Sequence, residues 1–194
     1  TTYKYDILGN ALTVTDSTGK TVTTNSYDTL GRKKATDDTD LGHWQYSYDN
    51  NGNLVWQKDP QGHKASFEYD ALNRLTKKKF DGVEILSYTY DQGSYGISRK
   101  HAFSDGPSGY QTTTYTYDRR GRLTSESKSF AGKELESLFG SNLYVTDYSY
   151  DNLDRIVAIA YPETSELEAE TVNYIYDGIY LKKVVGKNTY VSDT

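Results

Sequence analysis

The groups in this chain able to do more than pack are three histidines, one acidic run, two tryptophans and eight Tyr-Asp pairs. His43, His63 and His101 would hold a metal or relay a proton only at converging positions, and their spacing matches no ligand pattern. They are expected to be solvated side chains near turns. Asp37-Asp38-Thr39-Asp40-Leu41-Gly42 has the early carboxylates of a calcium loop but lacks the later bidentate Glu, so it is expected to be a turn. Gly93-Ser94-Tyr95-Gly96 and Gly106-Pro107-Ser108-Gly109 lack the spacing and the strand-to-helix context of a nucleophile elbow. Trp44 and Trp56 are candidate carbohydrate contacts, because flat rings stack on sugars. No catalytic residue, metal set or cofactor is therefore expected, and the chain does not look like an enzyme.

The Tyr-Asp pairs are Tyr5-Asp6, Tyr27-Asp28, Tyr48-Asp49, Tyr69-Asp70, Tyr90-Asp91, Tyr117-Asp118, Tyr150-Asp151 and Tyr176-Asp177. Successive pairs are 22, 21, 21 and 21 residues apart, and then 27, 33 and 26. A period of this kind is the mark of a repeat array. Two positions before the Tyr stands Tyr3, Tyr46, Phe67, Tyr88, Tyr115, Tyr148 or Tyr174, with Asn25 the exception. Aromatics at i and i+2 share one face of a strand. Asp then opens a type I turn, whose fourth position wants a residue that tolerates positive φ. That position holds Gly9, Gly31, Gly52, Asn73, Ser94, Gly121, Asp154 and Tyr180. Ser94 and Tyr180 fall where Asp91-Gln92-Gly93 and Asp177-Gly178 suggest shorter or shifted turns.

Leu54, Leu75, Leu123 and Ile156 are expected to head the returning strands, which end at second turns such as Asp16-Ser17-Thr18-Gly19, Asp59-Pro60-Gln61-Gly62 and Asp81-Gly82. Arg32, Arg74, Arg122 and Arg155 recur one residue after the first turn, placed for ion pairing or for stacking on nearby Tyr rings. The repeated aspartates and tyrosines thus read as answers to chain reversal, with the rings bracing neighbouring strands. The pattern predicts an all-β array of about eight antiparallel hairpin units over 1–194, interrupted by insertions near 93–110, 131–145 and 162–171. Within the second insertion, 133–139 could form a turn or two of helix stopped by Gly140, with an extended loop as the alternative.

Composition agrees with a thin, wet structure. Hydrophobic residues make up 35%, and 20 Tyr against 5 Phe favour rings that keep one polar end. A net charge of −5 with interspersed signs argues against a nucleic-acid partner. Without cysteine there is no disulfide framework, and no apolar run is long enough to span a membrane. The chain starts at Thr1 and contains no Met, so it is expected to be cut from something longer.

The unit running from Tyr115-Thr116-Tyr117-Asp118 through Gly121-Arg122-Leu123 resembles the YD repeat, also called the Rhs repeat, and the likeness covers nearly the whole chain. That resemblance implies a coiled, spiral β-sheet strip or partial shell. Relatives include bacterial Rhs polymorphic toxins, Tc toxin C components and teneurins. The Rhs and Tc shells enclose a toxic C-terminal polypeptide, teneurins carry a similar barrel, and wall-associated bacterial members have been linked to carbohydrate or surface contact. Neither the core region that caps such shells nor a variable toxin domain is expected within these residues. The chain is expected to be a stretch of wall in a bacterial secreted or cell-surface protein. Its partners would be an enclosed polypeptide cargo and the remaining shell. The rival expectation is a module binding carbohydrate or a cell surface through Trp44, Trp56 and exposed Tyr. Sixteen strands about 4.8 Å apart would make a strip on the order of 75 Å long, coiled by strand twist and able to self-associate edge to edge.

Overall fold

The computed structural model describes residues 1–106, 110–131, 142–164 and 167–191. The segment 133–139, which could form an extended loop or a turn or two of helix, lies outside the described residues, and among these there is no helix at all. No helix long and apolar enough to cross a membrane is present among them.

The first compact unit, Thr1–Ile85, is an antiparallel meander. Its strands are β1 (Thr2–Tyr5), β2 (Ala11–Thr15), β3 (Thr21–Tyr27), β4 (Lys33–Asp38), β5 (Gly42–Tyr48), β6 (Leu54–Lys58), β7 (Lys64–Tyr69) and β8 (Leu75–Phe80). Each pairs with the next in sequence. β9 (Val83–Tyr90) starts within this unit and runs into the second, Leu86–Thr194. There β10 (Lys100–Asp105), β11 (Gln111–Tyr117), β12 (Leu123–Phe130), β13 (Leu143–Tyr150), β14 (Ile156–Tyr161), β15 (Glu170–Asp177), β16 (Tyr180–Val185) and β17 (Thr189–Val191) continue the same up-and-down order. The described residues thus hold seventeen strands rather than sixteen, because the 186–188 turn returns the chain once more.

The turns form where Asp and Gly demand them. Gly9, Gly31, Gly52 and Gly121 each donate their N–H to the Asp three residues back, at 2.8–3.2 Å. Asn73 and Asp154 occupy the same position with φ of 60° and 63°, the left-handed backbone that these two side chains tolerate. Asp81-Gly82 is a two-residue turn with both φ positive, as a type I′ hairpin requires. In the last Tyr-Asp unit, Asp177 pairs with Tyr180 across Gly178-Ile179, so Tyr180 is a strand residue and not a turn position. Asp91 itself takes φ 62°, and a longer loop follows it, closed by the Asp91 N–H donating to Arg99 O at 3.1 Å.

A feature invisible in the repeat spacing accompanies every Tyr-Asp pair. The returning strand carries one unpaired extra residue just after the turn: Leu12, Lys34, Val55, Thr76, His101, Thr124, Val157 and Lys182. Such a bulge bends its strand and raises the local right-handed twist. All eight directly follow the residue that pairs with the Tyr, which makes bending a property of the repeat.

Register divides each unit into two faces. The paired aromatics, with residues opposite them such as Val14, Gln57, Phe103, Ile159 and Val184, lie on one side. The other side of β9–β12 carries Ser87, Thr89, Ala102, Ser104, Thr112, Thr114, Thr116, Ser125, Ser127 and Ser129. The buried non-glycine residues among those described are Asn25, Ala65, Thr113, Val172 and Val184, and all five fall on the tyrosine face. Within each unit the apolar cover is a layer of rings on one side of the sheet.

Candidate functional site

Each Tyr-Asp pair is a local turn device first. Asp28 Oδ1 accepts the backbone N–H groups of Leu30 and Arg32 at 3.0 and 2.9 Å, while Oδ2 takes Arg32 Nε at 2.7 Å. Asp70, Asp118 and Asp151 repeat this with Arg74, Arg122 and Arg155. Asp6 and Asp49 do the same with the Asn10 and Asn53 amides in place of the guanidinium. The carboxylate thereby satisfies donors that the reversing backbone leaves unpaired.

These contacts hold the carboxyls below their ordinary pKa. At Asp6 and Asp49 the largest cause is the hydrogen bond from Asn10 or Asn53. At Asp28 and Asp70 it is the backbone N–H of Arg32 or Arg74. At Asp118 and Asp151 the largest single effect is partial desolvation, which pushes upward; the N–H groups and charge of Arg122 or Arg155 outweigh it. None of these aspartates is poised as a general acid or base near neutrality.

The second role reaches across hairpins. Tyr27 donates its hydroxyl hydrogen to Ala11 O at 3.0 Å, Tyr69 to Leu54 O at 3.0 Å and Tyr117 to Lys100 O at 2.7 Å. Tyr150 does so to Leu123 O at 2.8 Å and Tyr176 to Ile156 O at 3.0 Å. Every acceptor is the residue immediately before the bulge of the preceding hairpin. The bulge disturbs the ladder, and the next repeat's phenol supplies a donor to the carbonyl beside it. This is why the position needs Tyr and not Phe. Burial raises the pKa of Tyr69, Tyr117 and Tyr150, so the phenols stay protonated and able to donate.

Arginine closes the same joint from the other side. Arg32 Nη1 donates to Asp49 O at 2.8 Å while its guanidinium lies 4.9 Å from the Tyr48 ring centroid. Arg122 reaches Asp151 O at 2.9 Å and stacks over Tyr150 at 4.7 Å. Arg155 donates to Gly178 O and lies 4.1 Å from Tyr176. One Arg thus holds its own Asp, the next turn's backbone and the next Tyr ring. The sequence suggested pairing or stacking; here each of these three arginines does both. Asn25, the odd residue in the aromatic series, is buried, donates to Ala11 O at 2.9 Å and accepts from the Thr36 hydroxyl at 2.5 Å.

The remaining candidates do not converge. Asp38 caps its own turn through the Asp40 and Leu41 N–H groups, and among the described residues no group of His, Asp and Glu could hold a metal. His43 lies in β5 against Asp37 at 2.6 Å, and His63 pairs with Asp81 at 2.6 Å. His101 departs from the solvated loop position expected of it: it is a bulge residue of β10, and its Nδ1 is buried without a hydrogen bond. Trp44 shares the face of Tyr46, whereas Trp56 pairs with Ser47 and so lies on the opposite face. The two indoles do not form one platform. Trp44 Nε1 is bonded to Leu41 O at 3.0 Å, and the Lys64 ammonium lies 5.1 Å from the Trp56 ring.

Comparison with solved structures finds the same fold within Tc toxin assemblies. A TcdB2-TccC3 structure without the hypervariable C-terminal region superposes with a TM-score of 0.73 at 13% identity, over 98% of this chain and 11% of that one. A TcdB2-TccC3-Cdc42 structure gives 0.72 at 14%, over 95% and 10%. A Photorhabdus luminescens Tc holotoxin pore gives 0.71 at 14%, over 96% and 10%. The chain spans about a tenth of each neighbour's length, and the likeness is one of fold. No curated protein matches it. The family described as the teneurin YD-shell matches residues 1–100, just over half of the chain and the stretch where the Tyr-Asp period is most regular. With its bulged hairpins joined by Tyr, Asp and Arg, the chain belongs to the teneurin YD-shell family.

Proposed function

We propose that the chain is a structural wall segment of a YD-repeat shell, enclosing a toxin or other polypeptide within a bacterial secreted or cell-surface protein and having no catalytic activity of its own. The observation that carries this reading is the joint between hairpins. The recurring Asp, Arg and Tyr groups spend their hydrogen-bonding capacity on their own turn and on the next hairpin. Within each unit they tie successive bulged hairpins to one another. The fold likeness to stretches of far longer Tc toxin chains supports reading the strip as one part of a larger wall. The partners would then be the enclosed polypeptide and the rest of the shell, with the strip's open edges also able to pair with another copy.

Limited proteolysis of the natural full-length protein tests this reading. The expected result is a cargo polypeptide that resists protease while the shell is intact and is digested once mild denaturant opens it. Digestion of that polypeptide at the same rate in both conditions would overturn the reading. Carbohydrate binding through Trp44 and Trp56 would instead require a saturable glycan interaction lost in W44A or W56A.

A further inference from the structure

The insertion before β15 and the turn after β16 border a pocket in which the Tyr-Asp pairs take no part. It measures about 450 Å³, and its lining includes Tyr161, Leu167, Glu168, Glu170, Lys187 and Tyr190. That size suits a small organic group. Gly186 makes the arrangement feasible: a Cβ there would collide with Glu170 Oε1 and come within 2.9 Å of Tyr190 Cε2.

The polar groups of the pocket are unequally committed. Glu170 Oε1 accepts the Lys187 backbone N–H at 2.7 Å and the Tyr190 hydroxyl at 2.6 Å. Those two bonds, the phenol's foremost, keep the Glu170 carboxyl below its ordinary pKa and therefore ionised. Among the described residues, Glu170 Oε2 has no donor. Lys187 Nζ is paired with Glu168 at 2.6 Å, so the cation of the pocket is already neutralised. Glu168 and Glu170 against Lys187 leave the lining with a net charge of −1. Free acceptor capacity, aromatic surface and residual negative charge all favour a cation over an anion or a neutral polar group.

We infer that this pocket binds a primary alkylammonium group, the chemistry of a lysine side chain or a free amine, with Glu170 Oε2 accepting its N–H donors and the Tyr161 and Tyr190 rings facing its charge and stem. The inference does not depend on the wall reading, since it concerns an insertion outside the repeat.

The test is calorimetric titration of the whole chain with n-butylammonium, with n-butanol as the neutral analogue. Saturable butylammonium binding is expected with a Kd of about millimolar, the range open to so small a ligand, and butanol should not bind. E170Q retains the acceptor for Lys187 and Tyr190 and should weaken binding at least about tenfold, the penalty of losing a charge-assisted partner. If E170Q does not fold, Y161L removes a ring without touching those bonds and should also weaken binding several-fold. A lysine-containing tripeptide that binds more tightly than butylammonium would identify a peptide side chain as the source; equal affinity would identify a free amine. No saturable binding, equal binding of butanol, or unchanged affinity in folded E170Q or Y161L would overturn the inference.

Discussion

At the scale of the residue, the turn glycines separate two costs that are usually mixed. Gly52 has φ 90°, and nothing lies within 4 Å of where a Cβ would be. G52A should therefore cost only the left-handed backbone penalty, about 1–2 kcal/mol. Gly42 has φ 76°, and a Cβ there would sit 2.6 Å from Pro60 Cγ and 2.8 Å from Pro60 Cβ. G42A should cost clearly more, because the backbone penalty and a clash with a rigid ring add. Denaturant unfolding of the two variants side by side checks the order, and equal losses would mean that the Pro60 contact is unimportant. Much of this was legible beforehand. Asp at the turn's first position and Gly, Asn or Asp at its fourth are demanded by local backbone geometry, which a single chain displays repeatedly. The destination of the Tyr hydroxyl was not legible, because its acceptor is a backbone carbonyl in another hairpin and leaves no side-chain signature.

At the scale of the hairpin, the Asp-capped turns predict an acid-sensitive fold. Asp6, Asp28, Asp49, Asp70, Asp118 and Asp151 all have folded-state pKa values below the ordinary 3.8. A depressed carboxyl contributes stability that is fully present above its unfolded value and is lost as pH falls through its folded value. His63 has the opposite sign. Chiefly through its hydrogen bond to Asp81, its pKa is raised above 6.5, so its contribution is present below that value and fades as pH rises through the folded one. Denaturant midpoints measured from pH 7 to pH 2 should hold down to about pH 4 and then fall steeply. D28N with D118N should soften that fall, since these neutral caps no longer lose a charge.

The arginine joint makes a separate prediction at this scale. R122K keeps the charge but loses the fork that joins Asp118, Asp151 O and the Tyr150 ring. Amide hydrogen exchange should then quicken in the 151–155 turn as well as in 118–122, with the 28–32 turn unchanged. Faster exchange confined to 118–122 would show that the arginine serves only its own turn. The returning strands headed by Leu54, Leu75, Leu123 and Ile156 were readable from sequence, and the structure starts β6, β8, β12 and β14 at those residues. The bulge that follows was not. Leu12, Lys34, Thr76 and Val157 share no side-chain chemistry, because a bulge asks for an extra backbone residue and not for a type of residue.

At the scale of the molecule, the account rests on stability that comes from neighbour-to-neighbour joints, as expected of a repeat array with few fully buried side chains. The most direct test is denaturant unfolding of a variant carrying Tyr→Phe at Tyr27, Tyr69, Tyr117, Tyr150 and Tyr176 together. Each change keeps the ring and removes one hydrogen bond between hairpins. Each should cost about 0.5–1.5 kcal/mol, and the widely spaced sites should add nearly independently. The account predicts a fivefold variant with a much lower midpoint or no cooperative transition. A midpoint equal to that of the unsubstituted chain would contradict it, for the tyrosines would then be rings on a surface and not the joints of a wall.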